Sequence, residues 1–366
     1  MTTHTMLPIF FLLLTSLISQ SIACNVVDKE ALLQFKNQIT SDPSKLLNTW
    51  TPSSDCCKGW NGITCDSTTG RVISLTLSGT VDDADLPLDT FLSGTLSPYL
   101  GNLTNLKILS LVNLKQLNGP IPKEFNKLSN LEKLYLNDNN FSGSLPFEIG
   151  SLISLSELVL SGNKFSGRIP SSIRNLKLLT SLDLHKNDFR SGVPEIIGDL
   201  KNLRNIDLSD NKIDGIIPES IGNLKQLVTL DMMKNKIKGY VPVSIGGLDS
   251  LTFCRISENL LTGILPSEIG NLKNLKSLNL GNNMLNGNLP ASIGNLSSLV
   301  ELYLANNQFS GKIPPTLENL KNLQRVDFSS NRLKGRIPKS MAKMSVSSFL
   351  GNRNLCGSPL LPCKRF

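Results

Sequence analysis

The chain has 366 residues, a formal net charge of +8, 5% aromatic residues and two histidines. That length exceeds what one ordinary core fills, unless the fold grows in one dimension. The basic excess is mild and spread out, so it fits an acidic surface or polyanion as a partner without demanding nucleic acid.

The first segment, "MTTHTMLPIFFLLLTSLISQSIAC", is apolar from Met6 to Ile18, which is short for a membrane span. Ser21 and Ala23 fit the small-residue rule for cleavage, so residues 1–23 read as a signal peptide. No later segment is apolar enough for long enough to span a bilayer. The mature chain is therefore expected to be exported and soluble, with His185 as its sole histidine.

Residues 24–70 read as an N-terminal cysteine-rich cap. "DKEALLQFKNQI" puts Leu32, Phe35 and Ile39 on one helical face, and "TWTPSSDCCKGWNGITCD" adds Trp50 and Trp60. Seven cysteines occur: Cys24, Cys56, Cys57 and Cys65 near the mature start, Cys356 and Cys363 near the end, and Cys254 alone between. Clustered cysteines in an exported chain point to disulfides. There is no CxxC pair and no histidine near either cluster, which argues against a metal; no cofactor is expected. Four cysteines allow three pairings, and separation alone does not choose among them. Cys254 falls where other units place leucine, so it reads as a small buried hydrophobe.

Residues 71–344 carry a 24-residue period. From Asn139 to Asn331 an asparagine recurs at every 24th position, and from Pro122 to Pro338 a proline keeps the same step. One unit reads "LSELVLSGNKFSGRIPSSIRNLKL", or LxxLxLxxNxFSGxIPxxIxNLxx, the leucine-rich-repeat pattern. Leu158 and Leu160 alternate with Glu157 and Val159, as in a short strand with one buried face. Each unit should add one strand to a parallel sheet along an inner curve. The asparagines should stack as a ladder serving backbone groups of adjoining coils. "FSG" reads as a turn, "IP" as an extended segment and "SSIRNL" as a 3₁₀ turn. No unit buries its leucines alone, so the units must stack into an α/β repeat solenoid with a cap at each end. Residues 345–366, with "SSFLGNRNLCGSPLLPC", read as the C-terminal cap.

The "DCCKGWNGITCD" cap, the GxIP repeats and the "LCGSPLLPC" end resemble plant extracellular leucine-rich-repeat proteins. These include the polygalacturonase-inhibiting proteins, the secreted group called DNA-damage-repair/toleration-like, and the ectodomains of plant leucine-rich-repeat receptors. The resemblance implies a curved stack with a concave parallel sheet. It also implies the pairings Cys24–Cys56, Cys57–Cys65 and Cys356–Cys363. The insertion "GTVDDADLPLDTFLSG" in the first repeat looks more like the toleration-like group, and the end has fewer cysteines than typical inhibitors.

Candidate functional residues are those facing out of the inner sheet. In "LDLHKND", Asp183, His185 and Lys186 project from the concave face, followed one repeat later by Asp207 and Asp210. A Ser/His/Asp grouping is conceivable there. However, aspartate and serine recur at these positions through the repeat itself, and no GxSxG, HExxH or phosphate-binding loop appears. His185 therefore reads as a contact whose charge follows a mildly acidic wall compartment. The rest of the face comprises Tyr135, Glu157, Asp231, Lys234, Phe253, Arg255, Glu301, Tyr303 and Arg325, with Lys133, Asp138, Met233, Glu258 and Asp327. Aromatics among mixed charges suit protein recognition.

The edges are basic: Lys177, Lys201, Lys225, Lys273 and Lys321 stand just before strands, and Lys164, Lys212, Lys236 and Arg332 follow the ladder asparagines, with Lys238, Lys334 and Arg336 nearby, which suggests an acidic polysaccharide as a second partner. Asn102, Asn140 and Asn295 begin N-x-S/T sequons, acceptor sites for glycans in an exported chain. The expectation is a secreted, non-catalytic module of the cell wall. It binds a protein through its concave face, in defence against a polygalacturonase-type hydrolase. The alternative is a signalling module that partners receptor kinases or binds a peptide ligand; a hydrolase using His185 ranks last.

Overall fold

A computed structural model describes residues 23–79 and 91–363. The signal peptide, apart from Ala23, lies outside the described residues. So do residues 80–90 of the first-repeat insertion and residues 364–366 of the last cap.

The chain starts with one α-helix, Val26–Asn37, capped by the Asn25 side chain, which accepts from the amides of Val27 and Asp28. The helix buries Ala31, Leu32 and Phe35. Its Asp28 is fully buried, and both its carboxylate oxygens take hydrogen bonds at 2.9 Å from the Arg71 guanidinium. The amide of Val72 also donates to it at 2.8 Å, so one carboxylate latches the helix to the first long strand. Trp50 and Trp60 stack at 5.4 Å beneath the helix. Ile39, expected on the same helical face, lies beyond the helix in the strand Ile39–Ser41.

A twelve-stranded sheet follows. Ile63–Cys65 pairs antiparallel with Val72–Ser78; every later pairing is parallel, through Ser181–Asp183 and Asn205–Asp207 to Arg325–Asp327. Within each of the repeats' three-residue strands the middle side chain, such as Leu182 or Leu230, is buried. Its two neighbours face outward, as strand alternation requires.

The asparagine ladder is present. The Asn187 amide nitrogen donates to the carbonyls of Leu160, Leu184 and His185 at 3.0–3.2 Å, while its oxygen accepts from the Phe165 amide at 2.9 Å. One side chain thus serves two neighbouring coils. The ladder continues past the 24-residue register into the last cap. Asn352, 21 residues after Asn331, accepts from Leu333 and donates to Phe328 and Phe349.

The "FSG" segment is not a turn alone. Lys164–Gly167 and its equivalents form strands of a second parallel layer, with the bend concentrated at a glycine of positive φ, such as Gly167 at +79°. The inward Phe165 is fully buried, which holds the segment extended. This layer splits into two six-stranded sheets, ending at Asp188–Phe189 and restarting at Lys238–Gly239. The break coincides with "FRSGVP", where Ser191 stands in the glycine position and itself adopts φ +66°.

On the third side run short 3₁₀ helices, such as Ser171–Asn175 behind Pro170, burying Ile173. Proline suits that entry because its fixed φ needs no donor. Cys24–Cys56, Cys57–Cys65 and Cys356–Cys363 are bonded, as the resemblance implied. Cys254 is free and buried among the leucines; burial, with the nearby Asp231 charge, pushes its thiol up to about 12.

Candidate functional site: the concave sheet face

Each concave strand presents two outward side chains, and parallel pairing aligns them in columns. One column stacks Tyr135, Val159, Asp183, Asp207, Asp231, Arg255, Asn279, Tyr303 and Asp327 in consecutive register. The other includes Lys133, Glu157, Ser181, Phe253, Glu301 and Arg325. Adjacent members lie about 4.8 Å apart by strand spacing, so each interacts with the next coil.

At the N-terminal part, Glu157 holds Lys133 at 2.9 Å and accepts from the Tyr135 hydroxyl at 2.5 Å. The tyrosine hydrogen bond, with help from Lys133, holds the Glu157 carboxyl below its ordinary value. Burial and the facing carboxylate raise the Tyr135 phenol.

In the middle, His185 Nδ1 lies 2.7 Å from Asp183 Oδ1 and 3.8 Å from Asp207 Oδ2. The other Asp183 oxygen accepts from Ser161 Oγ at 3.0 Å. Ser209 Oγ donates to Asp207 Oδ1 at 2.6 Å, not to the imidazole. Among the described residues, no serine hydroxyl is hydrogen-bonded to His185, so the conceivable Ser/His/Asp relay is not assembled. Asp183, His185 and Asp207 do bring three possible ligand atoms within 4.8 Å of one another. The closest pair of these groups, Asp183 and His185, already satisfy each other.

The recurrence of aspartate in this column has a local cause. Asp183, Asp207, Asp231 and Asp327 each accept the backbone amide two residues on, at 2.9–3.1 Å, and Asn279 does the same for Gly281. These are Asx turns that steer the chain out of the strand. The residue directly after each turn amide, Lys186, Asp210 or Lys234, adopts positive φ and is exposed at the rim.

Asp231 departs from expectation. It lies in the concave column but is only 5% exposed, covered by its neighbours and paired to Arg255 at 3.4 Å. Burial, with the Asp207 charge, raises its carboxyl above the ordinary value. It is a supporting group and not a surface contact. Arg255 reaches over Phe253, with its guanidinium 5.9 Å from the ring centroid. Further on, Glu301 joins Arg325 at 2.5 Å and accepts from Ser277 Oγ at 2.9 Å. Tyr303 is half-buried beside them.

The basic edge is partly structural. Lys225 donates to the Gly247 carbonyl at 2.6 Å and Lys273 to those of Gly270 and Asn295, so these side chains cap 3₁₀ turns. Of the sequons, Asn295 is exposed at a turn end, Asn102 ends another turn, and Asn140 lies in the second layer.

Buried repeats, ladder and cap define a class, and comparison with known proteins agrees. Residues 27–66 match the leucine-rich-repeat N-terminal domain. A leucine-rich-repeat region matches 92–215, and further repeats match 201–261, 255–309 and 322–344. The chain belongs to the leucine-rich-repeat proteins, with plant relatives. It is 39% identical over 137 residues to the leucine-rich repeat protein FLOR 1 of Arabidopsis thaliana, covering 37% of this chain and 38% of that one. It is 38% identical over 119 residues to the polygalacturonase inhibitor of Vitis vinifera, covering 32% of each. The matched stretches thus span about a third of these relatives.

Among solved structures, a plant ice-binding protein superposes with TM-score 0.70 at 29% identity, covering 94% of this chain and 99% of that one. The Arabidopsis receptor kinase HAESA, in complex with the peptide hormone IDA and the co-receptor SERK1, gives 0.67 at 30% identity, covering 87% and 56%. Among the described residues, no helix is long and apolar enough to cross a membrane.

Proposed function

We propose that the chain is a secreted, non-catalytic recognition module of the plant cell wall that binds a protein through its concave face. Its partner on this reading is a polygalacturonase-type hydrolase, inhibited because the face covers the substrate cleft. The observation that carries the reading is the register-aligned pair Asp183 and Asp207, flanked by exposed Asp210 and by the fixed aromatic–ion groups at Tyr135 and Tyr303. An enzyme that binds a polyuronate needs a cationic cleft, and stacked carboxylates are complementary to one. Side chains already held by ion pairs lose little entropy on docking.

The three disulfides fit an oxidising compartment, and the inhibitor of Vitis vinifera is among the relatives. The likeness to an ice-binding protein supports the fold more than that activity. Matching a crystal lattice needs one side chain repeated at each coil, whereas the column before the "IP" segment runs through Arg168, Gly192, Ile216, Tyr240, Ile264, Asn288 and Lys312. A peptide ligand is the second reading, favoured by the complex of HAESA with a peptide hormone.

The test is inhibition of a fungal endopolygalacturonase by the purified chain and by Asp183→Asn/Asp207→Asn. Asparagine keeps the Asx turns, as Asn279 does, and removes only charge. The wild type should inhibit, and the double variant should lose at least about tenfold. If the wild type neither binds nor inhibits, the hydrolase reading fails. Binding of a secreted peptide by the same face would install the second reading.

A further inference from the structure

On the concave face an imidazole and two carboxylates from adjacent coils converge. His185 Nδ1 stands 2.7 Å from Asp183 Oδ1 and 3.8 Å from Asp207 Oδ2, and one ligand atom from each residue lies within 4.8 Å of the other two. The cysteines of the N-terminal cap form the other such group among the described residues, and disulfides consume them. Asp183, His185 and Asp207 are part-exposed, so an ion in solution reaches them from the open face.

Both carboxylates are oriented by serines outside the trio. Ser161 Oγ donates to the second oxygen of Asp183 at 3.0 Å. Ser209 donates to Asp207 Oδ1 through its hydroxyl at 2.6 Å and its amide at 2.9 Å. One oxygen of each aspartate is thus held by a serine, and the other is the one nearest the imidazole. Metal sites hold their carboxylate ligands by such outer hydrogen bonds.

Charge points the same way. Parallel register sets Asp183 directly opposite Asp207, and Asp207 opposite Asp231. Like charges opposed across a sheet are destabilising. Arg255 answers Asp231 at 3.4 Å, whereas the neighbour of Asp183 on its other side is Val159. A dication between Asp183 and Asp207 removes their repulsion. The spacing suits one: a tetrahedral ion with bonds of about 2.0–2.2 Å holds its ligand atoms roughly 3.4 Å apart. The observed 2.7 and 3.8 Å straddle that separation.

We propose that Asp183, His185 and Asp207 bind one divalent transition-metal cation of the zinc type. The imidazole nitrogen selects that class, because calcium and magnesium are held by oxygen ligands. The ring then carries its hydrogen on Nε2 and turns the Nδ1 lone pair to the ion, in place of its hydrogen bond to Asp183. Three protein ligands leave a fourth position open to the concave face. Asp327 forms the same Asx turn elsewhere in the column, but has Ser329 where Asp183 has His185. Metal binding needs no protein partner, so its test is separate from that of the hydrolase reading.

The experiment is isothermal titration of the whole secreted chain, free of any polyhistidine tag, with zinc chloride and with calcium chloride. Wild type should bind one zinc. His185→Gln and Asp183→Asn/Asp207→Asn should each weaken binding by about tenfold or more. Asp327→Asn, which removes one charge from the same column, should change it less than about threefold. Absence of zinc binding by wild type, undiminished affinity in His185→Gln, or an equal loss in Asp327→Asn would overturn the proposal. So would calcium binding as tightly as zinc, which would mark a site made by carboxylates alone.

Discussion

At the residue scale, the middle aspartates share one backbone task and differ in environment. Asp183 and Asp207 remain part-exposed, but Asp231 is buried and its carboxyl is raised above its ordinary value of 3.8. A raised folded-state value means that the folded chain keeps this proton to higher pH than the unfolded chain. Ionised Asp231 therefore weakens the fold at neutral pH, and the penalty fades as pH falls through the raised value towards 3.8. Asp231→Asn should stabilise the protein at pH 7, since Arg255 stays solvated and the turn amide keeps its acceptor. Denaturant unfolding should show the gap to wild type narrowing on acidification towards about pH 4. A gap that does not change with pH would rule this account out. The column was readable from periodicity; the burial of Asp231 was not, because Arg255 and neighbouring coils create it.

At the element scale, the second layer depends on a residue that tolerates positive φ. Gly263 does so at +75°, and an added carbon would meet the Tyr240 ring at 2.3 Å. Ser191 occupies the equivalent place in its own coil at +66° with a side chain that pays steric strain there. Ser191→Gly should raise stability by about 0.5 kcal/mol after the loss of chain stiffness, while Gly263→Ala should lower it by about 1–3 kcal/mol. Shifts of the same sign in thermal unfolding would contradict this reading. The five-residue "xFSGx" segments alternate too briefly to signal a strand in sequence. Their pairing partners lie a full coil away, so the layer is created by stacking.

At the scale of the whole molecule, a solenoid is protected by its ends, because each coil touches only its neighbours. The Cys24–Cys56 bond spans 32 residues and holds the helix end to the tryptophan cluster, whereas Cys356–Cys363 spans 7. On loop-closure entropy, replacing the first pair by serine should cost about 3.7 kcal/mol and the second about 2.4 kcal/mol. The corresponding denaturation midpoints should fall in that order. A larger loss at the C-terminal pair would show that local packing outweighs chain entropy.

Sequence by itself determined the solenoid, the ladder from Asn139 to Asn331 and the two columns of the inner face. A 24-residue period forces equivalent side chains into equivalent places. The disulfide pairing came through family resemblance, since spacing left three choices open. Tertiary structure decided what depends on the neighbouring coil: that Asn352 extends the ladder out of period, that His185 meets Asp183 in place of a serine, and that Asp231 is covered. It also set Lys312 opposite Lys334 in register. Proximity across coils is set by register and by where a glycine lets a stem lie flat, and a linear pattern carries neither.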